Sequence, residues 1–183
     1  MPGFYDAGPL PQIAINLFYG GGYNFYRLEN QLRADDQLIR SKAAWLLGLA
    51  AAGLSAVEAD YRREALPAPS RAHPFPDAAA VAIAQRLERL GRDICSLEVS
   101  LHQLPAPEND RMTQRYREEA PTLQTLINHD QLLIGQCELL RSLVSGQPTA
   151  SVIEKLPEID SGLAAIRSTL ESRQATLLGP IPR

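Results

Sequence analysis

Apolar residues recur at helical spacing along most of this chain. The clearest run steps by three and four residues, as in a heptad seam, through Leu87, Leu90, Ile94, Leu97, Leu101 and Leu104. A second run, with one polar member, passes through Leu123, Leu126, Asp130, Leu133, Cys137, Leu140 and Val144. A third passes through Val152, Leu156, Ile159, Leu163, Ile166 and Leu170. No alternation typical of a β-strand persists for more than a few residues, so the pattern predicts helices almost everywhere.

Proline-rich segments divide the chain into an N-terminal arm and four helical segments. The breaks span residues 66–76, 104–110 and 145–150, and they stop helices because proline lacks an N–H and fixes φ. The first helix is predicted to begin near Asn24 and to end at about Ala65. The second is predicted to begin after Asp77, which acts as its N-cap.

Two further prolines leave helix boundaries open. Pro121 either kinks one long helix or occupies the first position of a new one. Ser151 and Glu154 have the spacing of a capping box, which would start the last helix there. Alternatively, the last helix starts later, at Pro157.

Long helices with heptad seams and short connections pack as antiparallel neighbours at shallow angles. The predicted fold is therefore a single all-α domain. It consists of an antiparallel four-helix bundle over residues 23–183, preceded by an aromatic-rich N-terminal arm over residues 1–22.

The first helix differs from the others because residues 43–57 are apolar or small on every side. One bundle face covers only one side of such a helix. The remainder requires either a second subunit or a central position in a larger monomer. The predicted interface of a homodimer is formed by Ala44, Trp45, Gly48 and Ala52.

The apolar run of residues 43–57 also bears on whether the protein is inserted in a membrane and where in the cell it is located. It is shorter than the ~20 residues that cross a bilayer, so no membrane span is predicted. The N-terminal sequence shows no signal peptide, and two widely spaced cysteines indicate a reducing, cytoplasmic location. With a net charge of −3, the chain as a whole has no excess of positive charge that would attract nucleic acid.

The arm contains three consecutive glycines among aromatic residues. The stretch GGGYNFYR matches neither a P-loop nor a dinucleotide fingerprint, so a flexible joint is the favoured interpretation. Aromatic side chains concentrate at interfaces as well as in cores. The candidate residues for binding a partner or ligand are Phe18, Tyr19, Tyr23, Phe25 and Tyr26. Alternatively, these side chains only attach the arm to the bundle.

Possible metal ligands are present at helical spacing. Cys95, Glu98 and His102 share one stripe, and His129 or Cys137 could add a fourth ligand. His129 is expected on the order of 30 Å from His102 along the helix axis, unless Pro121 folds the chain back. The sequence therefore predicts no metal and no cofactor.

The order of His102, His129–Asp130 and Asp160 resembles the H…HD…D ligands of the HD phosphohydrolase family. The resemblance implies a divalent metal that activates water against phosphate esters. The resemblance covers four residues and no flanking motif. A metal-dependent phosphohydrolase of this type is the alternative function.

Asp130 also has a structural interpretation, because one polar residue in an apolar seam often sets helix register. Its predicted partner is Arg33, Arg40 or Asn30. No serine elbow is present, and neither cysteine has an activating setting. The sequence thus favours a non-enzymatic helical bundle that binds a protein partner in an adapter, assembly or regulatory role. The alternatives are the HD-type hydrolase and a small-ligand-binding bundle.

Overall fold

The computed structural model of the chain describes residues 32–71, 74–104 and 120–178. These residues form only helices and no strand, as the sequence predicts. The helices are α1 (Leu32–Ala65), α2 (Ala78–Gln103), α3 (Ala120–Val144), α4 (Thr149–Glu154) and α5 (Leu156–Leu178). The predicted arm and its five candidate aromatic residues lie outside the described residues.

The three predicted seams and the inward side of α1 form the core of the described residues. Every described apolar member of the three runs is buried except Leu104, which is half-buried. Asp77 caps α2 as predicted, because its carboxylate accepts a hydrogen bond from the Ala80 N–H at 2.8 Å. Local spacing therefore predicted which side of α2, α3 and α5 faces inward.

The last predicted helix is two helices. The capping-box prediction at Ser151 is wrong, because α4 already begins at Thr149 and its N-cap is Pro148. A break at Lys155 separates α4 from α5, whose second residue is Pro157. Proline in the first turn of a helix lacks an N–H that would have no partner there, so α5 starts favourably beside this break.

Helix α1 is the central element. It packs along α2 and against α3, and α3 packs along α5. Helices α1 and α2 are antiparallel, since Arg40 near the start of α1 donates to the Leu104 carbonyl at 2.7 Å and Arg62 near its end reaches Glu88 at 3.0 Å.

Helices α2 and α5 run in the same direction. Arg86 and Asp160, each in the N-terminal half of its helix, form an ion pair at 2.6 Å. Further along both helices, Leu97 and Leu170 line one shared groove. Neighbours are therefore not all antiparallel, although α1–α2 is an antiparallel pair.

One helix of the described part is long and apolar enough to cross a membrane by length and composition alone. It spans Gln37–Ala65 within α1, and its 18-residue window has a mean hydropathy of 1.2. Of that window, 44% is buried inside the protein, and the core helix of a packed bundle meets the same criteria. The expectation that no segment spans a membrane stays a prediction.

Candidate functional site

The side of α1 that faces away from the other helices carries exposed apolar side chains. Leu38, Trp45 and Leu49 are 36%, 53% and 37% exposed. Three exposed alanines continue the same stripe at steps of three and four residues: Ala52, Ala56 and Ala59. We call these six residues the α1 outer face. It exists because α1 is apolar on every side, while α2 and α3 cover only part of it.

The four predicted interface residues do not share this face. Ala44 is buried in the core. A Cβ atom on Gly48 would lie 3.2 Å from Glu98 Oε1 of α2, so this glycine serves packing within the chain. Trp45 and Ala52 are exposed on the outer face. Of the four predicted residues, Trp45 and Ala52 thus lie on the α1 outer face and Ala44 and Gly48 do not, and the dimer interface itself stays a prediction.

Charged groups flank the α1 outer face on one edge. The Lys42 ammonium lies 4.0 Å from the centroid of the Trp45 ring, a cation–π contact that holds the indole against the helix. Asp60 lies further along the helix and forms an exposed ion pair with Arg63 at 2.8 Å. A positive and a negative group thus stand near opposite ends of the apolar stripe.

The polar seam residue Asp130 is fully buried in an ion pair. Its Oδ1 accepts a hydrogen bond from Arg173 Nε of α5, and the Arg173 side chain is 2% exposed. The prediction named Arg33, Arg40 or Asn30 and missed this partner. The signal was present in the sequence, because Arg173 continues the α5 seam three residues after Leu170.

His129 lies beside this pair on α3. Burial of its ring is the main cause that lowers the pKa of the imidazole; Asp130 opposes the shift and Arg173 adds to it. The neutral ring is therefore favoured in the folded state.

This shift predicts a pH dependence of stability. The folded pKa lies below the unfolded value of about 6.5, so the unfolded state binds the proton more tightly. The stabilising contribution is complete above that value and is lost as the pH falls through the folded pKa. We expect the free energy of unfolding to drop as the pH falls below about 6.5, and to drop less in His129→Gln. Denaturant titrations at each pH measure this, with the exposed His102→Gln as control. Equal slopes for wild type and His129→Gln would contradict the prediction.

The four residues that resemble HD ligands do not converge. Asp160 pairs with Arg86 near the start of α5, whereas Asp130 pairs with Arg173 thirteen residues further along that helix. This separation is about 20 Å at 1.5 Å per residue. Within residues 32–71, 74–104 and 120–178, no three potential metal-ligating side chains form a cluster. The geometry disfavours a shared metal site for these four residues.

The cysteines offer no activated nucleophile. Cys137 is buried, and burial raises the pKa of its thiol far above the usual range. Cys95 is exposed on α2. A thiol held in its protonated form is a poor nucleophile and a poor metal ligand, so Cys137 is a packing residue.

Within the described residues, a groove between α2 and α5 could hold a small ligand. Its volume is about 280 Å³, and it is lined by Ser96, Leu97, Ser100, Arg167, Leu170 and Glu171. Ligand sites usually measure roughly 300–1,000 Å³ and enclose most of their ligand. This groove is smaller and open to solvent, so it supports a small-ligand function only weakly.

The α1 outer face is thus the feature that packing within the described chain leaves unexplained. Its tryptophan is the only one in the sequence, and it is more than half exposed. The buried Asp130–Arg173 pair and the core cysteine are accounted for by the packing of α3 and α5. No protein-family model, curated protein or solved structure matches this chain.

Proposed function

We propose that this chain is a non-enzymatic cytoplasmic protein that works by binding another protein through the α1 outer face, and that a second copy of the chain occupies this face. The observation that carries the proposal is Trp45, 53% exposed beside Leu49 on a helix whose other side forms the core. Monomers rarely expose large contiguous apolar patches, and tryptophan is enriched where binding energy concentrates.

Twofold symmetry makes a second copy a suitable occupant. In a symmetric pair both copies contribute Leu38, Trp45 and Leu49, so six apolar side chains that are partly exposed in the monomer become buried. Burial of these side chains is the favourable contribution that offsets the entropic cost of association. A dimer that forms at micromolar concentration is the expected result.

The wider architecture supports the same proposal. We propose that α1, α2, α3 and α5 make one four-helix bundle, since α1 packs on α2 and α3, α3 packs on α5, and Arg86 of α2 pairs with Asp160 of α5. In such a bundle the outer side of α1 points away from the core. The aromatic arm, with Phe18, Tyr19, Tyr23, Phe25 and Tyr26, remains a proposed contributor to partner binding.

Self-association can be tested with one charge on the face. We expect wild-type protein to sediment as a dimer at tens of micromolar and Trp45→Glu to sediment as a monomer with an unchanged helical circular dichroism spectrum. The reason is that the unpaired carboxylate would have to lose water at the interface.

Val99→Glu is the matched control for this experiment. Val99 is 51% exposed on α2, away from the α1 outer face, so its replacement should leave the dimer intact. A wild-type monomer would overturn the proposal, as would a Trp45→Glu variant that dimerises as tightly as wild type.

A further inference from the structure

The α1 outer face is uneven in side-chain size along its length. The three large residues, Leu38, Trp45 and Leu49, occupy its N-terminal half, and the alanines occupy its C-terminal half. If two copies packed in parallel, Trp45 would oppose Trp45 and alanine would oppose alanine, which leaves a gap at one end. An antiparallel pair sets Trp45 and Leu49 against the partner's alanines, so large side chains meet small ones as well-packed interfaces require.

Resting on the proposed self-association, we propose that two copies pair through antiparallel α1 helices centred near residue 51. In this register Trp45 of each chain lies on the partner's Ala56 and Ala59. Leu49 lies beside the twofold axis and contacts the partner's Ala52. Each tryptophan thus fills the space that the partner's alanines leave open.

Charge complementarity fixes the same register. Lys42 and Asp60 are eighteen residues apart, which is five turns at about 3.6 residues per turn, so both stand on one edge of the helix. A twofold axis perpendicular to the helices leaves this edge of the partner helix on the same side of the interface and reverses the direction of its chain. Residue 51, where the axis passes, is midway between Lys42 and Asp60. Lys42 therefore faces the partner's Asp60, and the symmetry repeats this pair at the other end.

Both charged groups are available for such a contact. Among the described residues, Lys42 contacts the Trp45 ring and makes no ion pair, and Asp60 is half exposed in its contact with Arg63. In a parallel pair the twofold axis would run along the helices and place the two Lys42 side chains on opposite edges, where neither meets the partner's Asp60.

Disulfide trapping distinguishes the two arrangements. The exposed native thiol is first removed by Cys95→Ser, and Ser41→Cys and Ala59→Cys are then made separately in that background. Both positions are exposed on the opposite edge of the face from Lys42. In the antiparallel pair, residue 41 lies near the partner's residue 59, whereas two copies of residue 41 are about 30 Å apart along the axis. A disulfide needs Cα atoms about 4.4–6.8 Å apart.

We expect a covalent dimer to form on mild oxidation when the two variants are mixed, and little when either is oxidised alone. Lys42→Glu or Asp60→Lys should each raise the dissociation constant about tenfold, and the double variant should recover most of the affinity.

The outcomes separate this inference from the proposed function. A dimer that cross-links only like with like is parallel, which overturns the inference and leaves the proposed self-association intact. A wild-type monomer in sedimentation overturns both. A monomer whose Trp45 emission shifts to the blue with vesicles of phosphatidylcholine and phosphatidylserine would assign the face to a membrane surface, which also overturns both.

Discussion

Replacing Asp130 by alanine is expected to lower the free energy of unfolding by about 3–5 kcal/mol. The substitution removes the carboxylate that pairs with Arg173 and leaves a guanidinium in a site where its side chain is 2% exposed. A buried guanidinium that loses this carboxylate loses much of the attraction that offsets its cost of lost hydration. Urea denaturation followed by circular dichroism measures the change.

Two comparisons test the cause of this loss. Arg86 and Asp160 form an ion pair of similar geometry whose side chains are 41% and 49% exposed, so Asp160→Ala should cost only about 0–1 kcal/mol. Exchanging both buried partners, as Asp130→Leu with Arg173→Met, should recover most of the stability. If Asp130→Ala cost no more than Asp160→Ala, burial would not be the source of the effect.

Replacing Gly53 by leucine is expected to destabilise the protein by about 1–3 kcal/mol, despite the better helix propensity of leucine. Gly53 is where α1 approaches the end of α3. An added Cβ would lie 3.2 Å from the Ser145 Cα and 3.3 Å from Val144 Cγ1. Because the nearest atom belongs to the backbone, the two helices must move apart to admit a larger side chain.

Gly91 provides the matched control for this substitution. It lies within α2, and an added Cβ would meet no atom within 4 Å. Gly91→Ala should therefore stabilise the protein by about 1 kcal/mol through helix propensity alone. Thermal and urea unfolding of both variants would reveal the difference, and a stabilised Gly53→Leu would show that α1 and α3 do not approach closely there.

Several features could be predicted because they depend on local spacing. The seam of α2 from Leu87 to Leu101 is buried as predicted, since steps of three and four residues place side chains on one side of a helix wherever that helix lies. The Asp77 cap was predictable for the same reason, because it involves a side chain and an N–H three residues apart. The break before Pro157 was one of two alternatives that the sequence left open.

The direction in which α1 faces was decided only by tertiary structure. A helix that is apolar on every side has no preferred inward side of its own, so its sequence could not separate buried Ala44 from exposed Trp45. The packing of α2 along α1, and the close approach of α3 at Gly53, determine which stripe remains uncovered.

The partner of Asp130 was also decided only by tertiary structure. The sequence by itself determined that this chain forms helices, where several of them end, and that one carboxylate lies in an apolar seam. It did not determine that Arg173 of α5 would meet that carboxylate, because heptad spacing orders residues within a helix but does not say which helices become neighbours. Only the packing of α3 against α5 brings together two residues that are forty-three positions apart.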